Sequence, residues 1–515
     1  MRPSRATARV VPIRPRRRAA GRLVLFVVAG AVAGVLAQSD TRIPAHPRDL
    51  TYAALNYTAP ESSECRHLLA NGVVAYLVED HVLPLVSVRV LIRGGAYLDP
   101  VGKPGVAGAV GALLRTGGTT RQSPDAFDEE AEFLATNLSS SIGDTSGSAS
   151  ANFLAKDTDA ALAQFFEMLR SPAFAQDRLD LYRAQRVQRL QRRNDSTDDI
   201  EDREWSRLMR GDDHFTNTFE TQASLESLTR EDLLAYHARV IHPGNFILAV
   251  SGDFETREML ARLNAAMTGW TIPPEPLSAV PEPTWTPRPG VYVVHKPDVN
   301  QGRVSIGHLG IRFGNPDEIV VDLMNDVLGG SGFTSRITNR VRSDEGLAYD
   351  AGSSFTAGVH YPGEFRVTFQ SKSSSVAQAM AIVLEEIGRI GAEDVGRDEL
   401  TTVQNYSIEI FPRFFSSAGA VAGTFASDAL IGRDPQFWMT YRGRVRAVTP
   451  ADVRRAAGAY IDPARLVILI VGNVDEILAG NPDRPDFSVE RLAGGRPIVR
   501  IPLPDPMTMV YPDIQ

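Results

Sequence analysis

The sequence lacks several features that would define common protein classes. It has one cysteine, Cys65, so no disulfide can form within the chain and no cysteine-based zinc site is available. It also lacks an excess of basic residues: the formal net charge is −8, which argues against a nucleic-acid-binding protein. No stretch after Ala37 is apolar enough to cross a bilayer. Apolar cores must therefore stabilise a chain of this composition.

The N-terminal residues differ from the rest of the chain. A basic stretch that ends at Arg22 precedes an apolar run over residues 23–37, which closes with the small residue Ala37. This pattern predicts a signal peptide over residues 1–37 and a periplasmic location, and an uncleaved signal would instead anchor the protein in the inner membrane. Residues 38–63 are polar and contain proline, which predicts an extended arm.

A helix and strand unit occurs twice, about 220 residues apart. In the first copy Thr229 caps a helix, Pro243 stops it, and an apolar strand ends at Gly252. The second copy has the same residue types in the same order: Thr449, Pro463 and Gly472. This match predicts a duplicated domain.

Seven prolines over residues 273–289 mark a linker between the two copies. The predicted domains are residues 64–272 and 290–480, followed by a C-terminal tail, 481–515. Alternating apolar residues indicate strands, and each domain mixes such strands with amphipathic helices. The predicted fold class is α+β: two tandem homologous domains, each a mostly antiparallel sheet with helices packed on one face.

One part of the first domain carries a family resemblance. It contains Asn71-Gly72, Leu83-Pro84, Gly94-Gly95, Gly102-Lys103-Pro104-Gly105 and Gly117-Gly118-Thr119. These residues resemble the opening of the insulinase/pitrilysin-type metallopeptidases, which include mitochondrial processing peptidase. In active members the helix in this region carries His-x-x-Glu-His, in which the two His bind zinc and the Glu activates water.

The residues that this family uses for zinc are replaced. Gly108, Gly111 and Ala112 stand at the His, Glu and His positions, and the third ligand position falls on or next to Arg189. The resemblance therefore implies that this chain binds no metal of its own. His237 and His242 are the closest pair among nine histidines, but a spacing of five places them on different faces of a helix.

A second motif, from Asn325 to Tyr349, resembles the most specific motif of the family's C-terminal domain. The resemblance implies that Arg342 and Tyr349 bind the substrate backbone and stabilise the oxyanion, since both side chains are hydrogen-bond donors. Two structural alternatives remain open: Arg342 could pair with Asp344 or Glu345, and Tyr349 could belong to the core.

Two further segments have open interpretations. Gly329, Gly330 and Gly332 could form a mobile, substrate-facing loop or a helix end followed by a turn. Residues 146–152 are rich in serine and alanine, and the resemblance implies an edge strand that pairs with a peptide. A plain surface strand is the alternative. The basic helix over residues 178–193 favours a solvated face, and the alternative is the wall of a chamber that attracts acidic peptides.

These observations predict the zinc-less subunit of a periplasmic, heterodimeric insulinase-type peptidase. A homologous partner would supply the zinc and the peptide hydrolysis, while this chain would contribute substrate binding and bind no cofactor itself. The expected ligands are the partner subunit and a peptide, with membrane contact only if the signal is uncleaved. The alternatives are a catalytically inactive peptide-binding or scaffold protein of the same fold and an independently active peptidase.

Overall fold

This computed structural model describes Leu50 and residues 56–512. Within these residues, alternating and continuous apolar runs form two six-stranded sheets. The predicted signal peptide, 1–37, and most of the predicted arm, 38–63, lie outside the described residues. Each sheet takes its strands from one side of the proline-rich segment 273–289.

The first sheet has the strand order β1-β2-β6-β3-β5-β4. Its strands are β1 (Arg66–Leu68), β2 (Val74–Glu79), β3 (Leu85–Arg93), β4 (Asn137–Ile142), β5 (Ser146–Leu154) and β6 (Phe246–Gly252). All neighbours pair in antiparallel fashion except β2 and β6, which are parallel. Along the central strand β3, Val86, Val88 and Val90 point to the same face of the sheet and are buried in the first core.

The second sheet repeats this topology. The strands of this half are β7 (Gly290–His295), β8 (Gln301–Leu309), β9 (Ile311–Arg312), β10 (Ala348–Phe355), β11 (Ala357–Gly358), β12 (Glu364–Lys372), β13 (Val467–Gly472) and β14 (Ile498–Ile501). Of these, β9 and β11 form a separate parallel pair, and the other six form the sheet. The order β10-β12-β8-β13-β7 corresponds, strand for strand, to β4-β5-β3-β6-β2. Both predictions, the α+β class and the duplication, are therefore confirmed.

Helices follow the strands in both halves. Those of the first half are α1 (Ser62–Cys65), α2 (Val106–Thr116), α3 (Pro124–Phe133), α4 (Thr158–Arg170), α5 (Gln176–Gln191), α6 (Thr197–Arg210), α7 (Gln222–Ser227), α8 (Arg230–Val240) and α9 (Thr256–Met267). Those of the second half are α10 (Glu318–Asn325), α11 (Arg336–Thr338), α12 (Val376–Ala392), α13 (Arg397–Ile410), α14 (Ala418–Ile431), α15 (Phe437–Ala447), α16 (Pro450–Tyr460), α17 (Val474–Ala479) and α18 (Val489–Ala493). Thr229 and Thr449 cap α8 and α16 through matching hydrogen bonds with Asp232 and Asp452.

The two halves exchange one helix each. Helix α6 of the first half packs on the second sheet, where Trp205 lies against Val467 and Leu469. Helix α14 of the second half packs on the first sheet, where Phe425 lies near Tyr76. The exchanged helix thereby covers the face of each sheet that the prediction of helices on one face left open, and the exchange joins the halves in a single unit from Tyr57 onward. The domain boundaries drawn from the sequence stay a prediction.

The C-terminal residues connect both halves. After β14 joins the second sheet, residues 502–512 run over the first half. Asn194 Nδ2 donates to the carbonyl of Pro504 at 2.8 Å, and the Tyr511 hydroxyl donates to Glu204 Oε1 at 2.7 Å. The predicted tail is thus part of the packed structure.

Within residues 56–512, no single helix is both long and apolar enough to cross a membrane. One pair, residues 397–415 and 418–431, passes that test jointly by length and composition, with a bend of 103° between its members. The second member is α14, whose buried face covers the first sheet.

Candidate functional site

Helix α2 holds the positions at which a metal would bind in active members of the resembled family. It forms because apolar residues from Val106 to Leu114 pack into the first core, and it starts at Gly105, which has a φ of 101°. Asp99 caps this start by accepting hydrogen bonds from the backbone nitrogens of Gly105 and Ala107, at 2.8 and 2.7 Å. The helix is therefore a well-capped packing element.

The edge strand β4 occupies the space next to Gly111. A methyl group on Gly111 would lie 2.4 Å from the backbone nitrogen of Ile142, and the Ser140 hydroxyl donates to the Gly111 carbonyl at 2.7 Å. No side chain can enter this contact unless helix and strand move apart. The glutamate that activates water in the resembled family has no room here.

The other zinc-motif positions also lack ligands. A methyl group on Gly108 would lie 3.5 Å from the Tyr182 hydroxyl, and Ala112 is partly exposed. Arg189 lies on α5 with its side chain exposed. Zinc does not fit a donor set of two glycines, an alanine and an arginine, and within residues 56–512 no three His, Cys, Asp or Glu side chains converge on a possible metal position.

His237 and His242 serve the packing of the first half. Both are buried, and burial lowers the pKa of each imidazole. His237 Nε2 is 2.7 Å from the Leu169 carbonyl, and His242 Nε2 is 3.0 Å from Asn245 Nδ2. These contacts explain the two histidines without a metal.

A cavity of about 520 Å³ lies beside α2. Its charged lining includes Asp99, Asp144 and Glu220, and Arg186 Nε donates to Glu220 Oε2 at 2.8 Å. Burial raises the pKa of the Asp99 carboxyl from its ordinary value of 3.8 to about 6, against the opposing effect of its hydrogen bonds from the helix start.

Asp99 should make stability depend on pH. Because its folded-state pKa is raised, the folded protein holds the proton more tightly than the unfolded chain; its stabilising contribution is complete below about pH 4 and is lost as pH rises through about 6. We therefore expect the difference in melting temperature, wild type minus Asp99→Asn, to decrease as the pH is raised from about 4 to about 7. Thermal unfolding followed by circular dichroism measures it. A constant difference would contradict this assignment.

Arg342 and Tyr349 come together in the second half. Arg342 lies on the π-helical turn Asn339–Asp344, and its guanidinium carbon is 4.8 Å from the centre of the Tyr349 ring. Tyr349 is 84% exposed, so it does not belong to the core. Neither structural alternative occurs: within residues 56–512, Arg342 makes no ion pair with Asp344 or Glu345, and Glu345 accepts a hydrogen bond from Gln378 instead.

The neighbouring residue Arg340 fixes this turn. Its Nη1 donates to Glu386 Oε1 at 2.7 Å, and Glu386 is fully buried on α12. Val341 is buried as well, and its carbonyl accepts from the Leu347 nitrogen at 2.9 Å. The turn is therefore anchored on both sides of Arg342, whose side chain is half-buried.

The glycine segment forms a helix end followed by a turn. A methyl group on Gly329 would lie 2.6 Å from the backbone nitrogen of Ser353, and one on Gly330 would lie 2.5 Å from Asn325 Nδ2. Gly332 has a φ of 58° and open space around it. The turn therefore packs closely against β10 and presents the next residue, Phe333, to solvent.

Two features of the site were missed by sequence reasoning. The prediction that residues 146–152 lie at the sheet edge is wrong, because β5 pairs with β3 and β4 and the edge strand is β4. Because β4 and β5 are both rich in serine, composition alone could not show which of them is the edge strand. Phe333 was also missed: its ring centre is 4.5 Å from the guanidinium carbon of Arg342. An apolar residue inside a glycine-rich turn was its only signal.

The chain combines a duplicated α+β fold with an α2 that carries none of the metal ligands of the resembled peptidases. Residues 227–406 match the family model for the peptidase M16 inactive domain. The chain is 23% identical to the non-peptidase homolog YmxG of Helicobacter pylori over 404 residues, which cover 77% of this chain and 90% of that protein.

Solved structures share the fold. The peptidase M16 inactive domain from Pseudomonas fluorescens matches with a TM-score of 0.71 at 22% identity, over 79% of this chain and 97% of that one. The periplasmic protease PqqL from Escherichia coli matches with a TM-score of 0.67 at 12% identity, over 82% of this chain and 48% of that one. The resemblance to insulinase/pitrilysin-type peptidases is confirmed: residues 227–406 match the inactive domain of peptidase M16, and the chain is similar to non-peptidase and peptidase-like proteins of that kind.

Proposed function

We propose that this chain is the zinc-less subunit of a periplasmic, heterodimeric M16 peptidase and binds the peptide that its partner cleaves. The observation that carries the proposal is the contact of half-buried Arg342 with exposed Tyr349 in a chain whose α2 has no room for a catalytic glutamate.

The chemistry of the pair suits a peptide backbone. A guanidinium and a phenol can both donate to a carbonyl oxygen, and fixed donors gain strength as that oxygen becomes negative during hydrolysis. Arg340 and Glu386 hold the turn that carries Arg342, so the donor is positioned before substrate arrives. The partner would supply His-x-x-Glu-His, the zinc and the attacking water.

Substitution of the pair tests this role in trans. With the purified chain mixed with a homologous two-domain subunit that carries an intact zinc motif, Arg342→Ala and Tyr349→Phe are each expected to lower kcat about 100-fold or more, because each removes an oxyanion donor. The measurement is cleavage of a quenched fluorescent peptide library, with complex formation followed by size-exclusion chromatography.

The matched control is Arg288→Ala, which removes an exposed guanidinium, 5.2 Å from the centre of the Trp285 ring. It should leave cleavage unchanged. Unchanged cleavage by the Arg342 and Tyr349 variants within an intact complex would instead favour the scaffold alternative. Cleavage by this chain alone that is abolished by a chelator would refute both.

A further inference from the structure

An aromatic cluster packs on the side of the first sheet that α14 covers. It is formed by residues 411–415 and by helix α15. Phe411 stacks on Tyr441 with 5.6 Å between the ring centres, and Phe414 lies 5.1 Å from Trp438. Phe411 is buried, whereas Phe414 and Met439 of the same segments are each 40% exposed. The cluster therefore has a packed inner part and an apolar outer part in contact with solvent.

The two segments of this cluster are also rich in arginine. In a chain whose net charge is −8, they contain no acidic residue and four arginines: Arg413, Arg442, Arg444 and Arg446. All but Arg442 are exposed, and in the part of the chain that the structure describes no carboxylate forms an ion pair with these three. The flanking residues Glu409 and Asp434 still leave arginine in excess.

The exposed cations and the exposed apolar side chains lie side by side. Arg413 precedes Phe414 in the chain, and Met439 and Arg446 are two turns apart on one side of α15. The guanidinium carbon of Arg444 lies 5.9 Å from the centre of the Phe437 ring. Phe414, Met439 and the three exposed arginines together form a basic aromatic face.

The N-terminal part of the chain joins the folded unit at this face. Tyr57, with which that unit begins, lies 6.0 Å from Phe411 between ring centres, and Arg442 Nη1 donates to its carbonyl at 2.6 Å. The sequence before Tyr57 includes the apolar run 23–37, which follows a basic stretch. Residues 38–56 can span at most about 65 Å, so an apolar run that lies in a membrane keeps this face within reach of the bilayer.

Arginine and exposed apolar side chains together suit a phospholipid surface. Guanidinium groups bind phosphates through paired hydrogen bonds, and aromatic and other apolar side chains enter the headgroup layer beside them. An arginine close to an anionic bilayer strengthens binding about fivefold. The same charges would attract an acidic protein, but the attachment of the apolar run at this face favours lipid.

We propose that the basic aromatic face rests on a bilayer that contains anionic phospholipids, with Phe414 and Met439 in the headgroup layer and the three arginines on its phosphates. The inference goes beyond the proposed function, because no residue of this face belongs to the contact between Arg342 and Tyr349. A chain held in this way presents that contact at a fixed orientation to the membrane.

Vesicle binding by residues 38–515 tests the face without the apolar run. This is the form that removal of the predicted signal leaves, and it retains the packed unit from Tyr57 onward. It should sediment with vesicles of phosphatidylcholine and phosphatidylglycerol in equal parts, and high salt should release it by screening the charges. Phosphatidylcholine alone should bind it about 100-fold more weakly, because three arginines lose their charged partners.

Substitutions in the face should lower the affinity for the anionic vesicles. The double variant Arg444→Gln with Arg446→Gln should bind about 25-fold more weakly, roughly fivefold for each arginine. Phe414→Ala should bind about fivefold more weakly, because less apolar surface leaves water. Thermal unfolding followed by circular dichroism shows that each variant is folded.

Matched variants elsewhere control for charge and for apolar surface. Arg239→Gln with Arg257→Gln removes two exposed arginines, on α8 and α9, that likewise form no ion pair among the described residues. Phe133→Ala removes a phenylalanine that is 88% exposed on α3. Both controls should bind the anionic vesicles as wild type does.

Two results would overturn the proposal: failure of wild type to bind the anionic vesicles, or wild-type binding by the Arg444 and Arg446 double variant. If wild type binds no vesicles and the same substitutions break a complex with a second copy or with the zinc-bearing subunit, the face is a protein interface and the membrane assignment fails. Lost vesicle binding with unchanged partner-dependent cleavage would support the membrane face and leave the proposed function intact.

Discussion

Trp205→Ala is expected to lower the free energy of unfolding by about 3–5 kcal/mol, the usual cost of removing a fully buried aromatic side chain. Trp205 lies on α6, and its ring is buried against the second sheet. Its Nε1 donates to Glu364 at 2.6 Å, and the Arg366 guanidinium lies 5.1 Å from the ring centre. The loss should therefore combine a cavity with one lost hydrogen bond to Glu364, whose carboxylate remains paired with Arg210. Urea unfolding followed by circular dichroism measures it.

Trp205→Phe separates the two contributions. It keeps most of the packing and removes the hydrogen bond to Glu364, so its cost should be nearer 1 kcal/mol. Because α6 belongs to the first half and the sheet to the second, limited proteolysis of Trp205→Ala should cut near the proline-rich segment 273–289 sooner than in wild type. A loss below about 1 kcal/mol for Trp205→Ala would show that α6 does not join the halves.

The sequence predicted the duplication but not the exchange of helices. The repeat was visible because a Thr cap, a Pro stop and a strand-ending Gly recur in the units ending at Gly252 and Gly472. In the structure it extends to α6 and α14, which both have a serine cap and 14 residues. An amphipathic helix shows that one face is buried, but not which sheet covers it. The exchange could therefore not be predicted.

The strands beside α2 show a second limit of prediction from the sequence. Both β4 and β5 are rich in small residues, and their alternation identifies strands without specifying which is the outer one. The absence of metal ligands at Gly108 and Gly111 was evident from residue types alone. That Gly111 is also required for the close approach of β4 depends on a contact with Ile142, 31 positions along the chain.

The Arg342 region was predicted only in part. The spacing to Tyr349 and the surrounding motif gave the pair, and the structure places the two side chains in contact. The position of Phe333 beside Arg342 could not be inferred, because it depends on a turn that Gly332 and the hydroxyl hydrogen bonds of Ser331 and Ser335 stabilise. Local hydrogen bonds of this kind leave no periodic signal in a sequence.

Rebuilding the metal motif in α2 is expected to destabilise the protein without restoring zinc binding. The changes are Gly108→His, Gly111→Glu and Ala112→His, and the obstacle is Gly111, where any side chain must displace the backbone of Ile142. Gly111→Ala alone should cost about 1–3 kcal/mol, the range for overpacking a tight core contact. Thermal unfolding and elemental analysis for zinc after dialysis measure the two effects.

Gly388→Ala is the matched control, since Gly388 lies inside α12 with nothing within 4 Å of an added methyl group. It should raise stability by roughly 0.5–1 kcal/mol, because alanine is the better helix former. Opposite signs at the two glycines would show that the contact with β4, and not helix propensity, excludes a side chain at Gly111. Stoichiometric zinc in the rebuilt protein at undiminished stability would mean that β4 can yield, and that the metal site was lost by substitution alone.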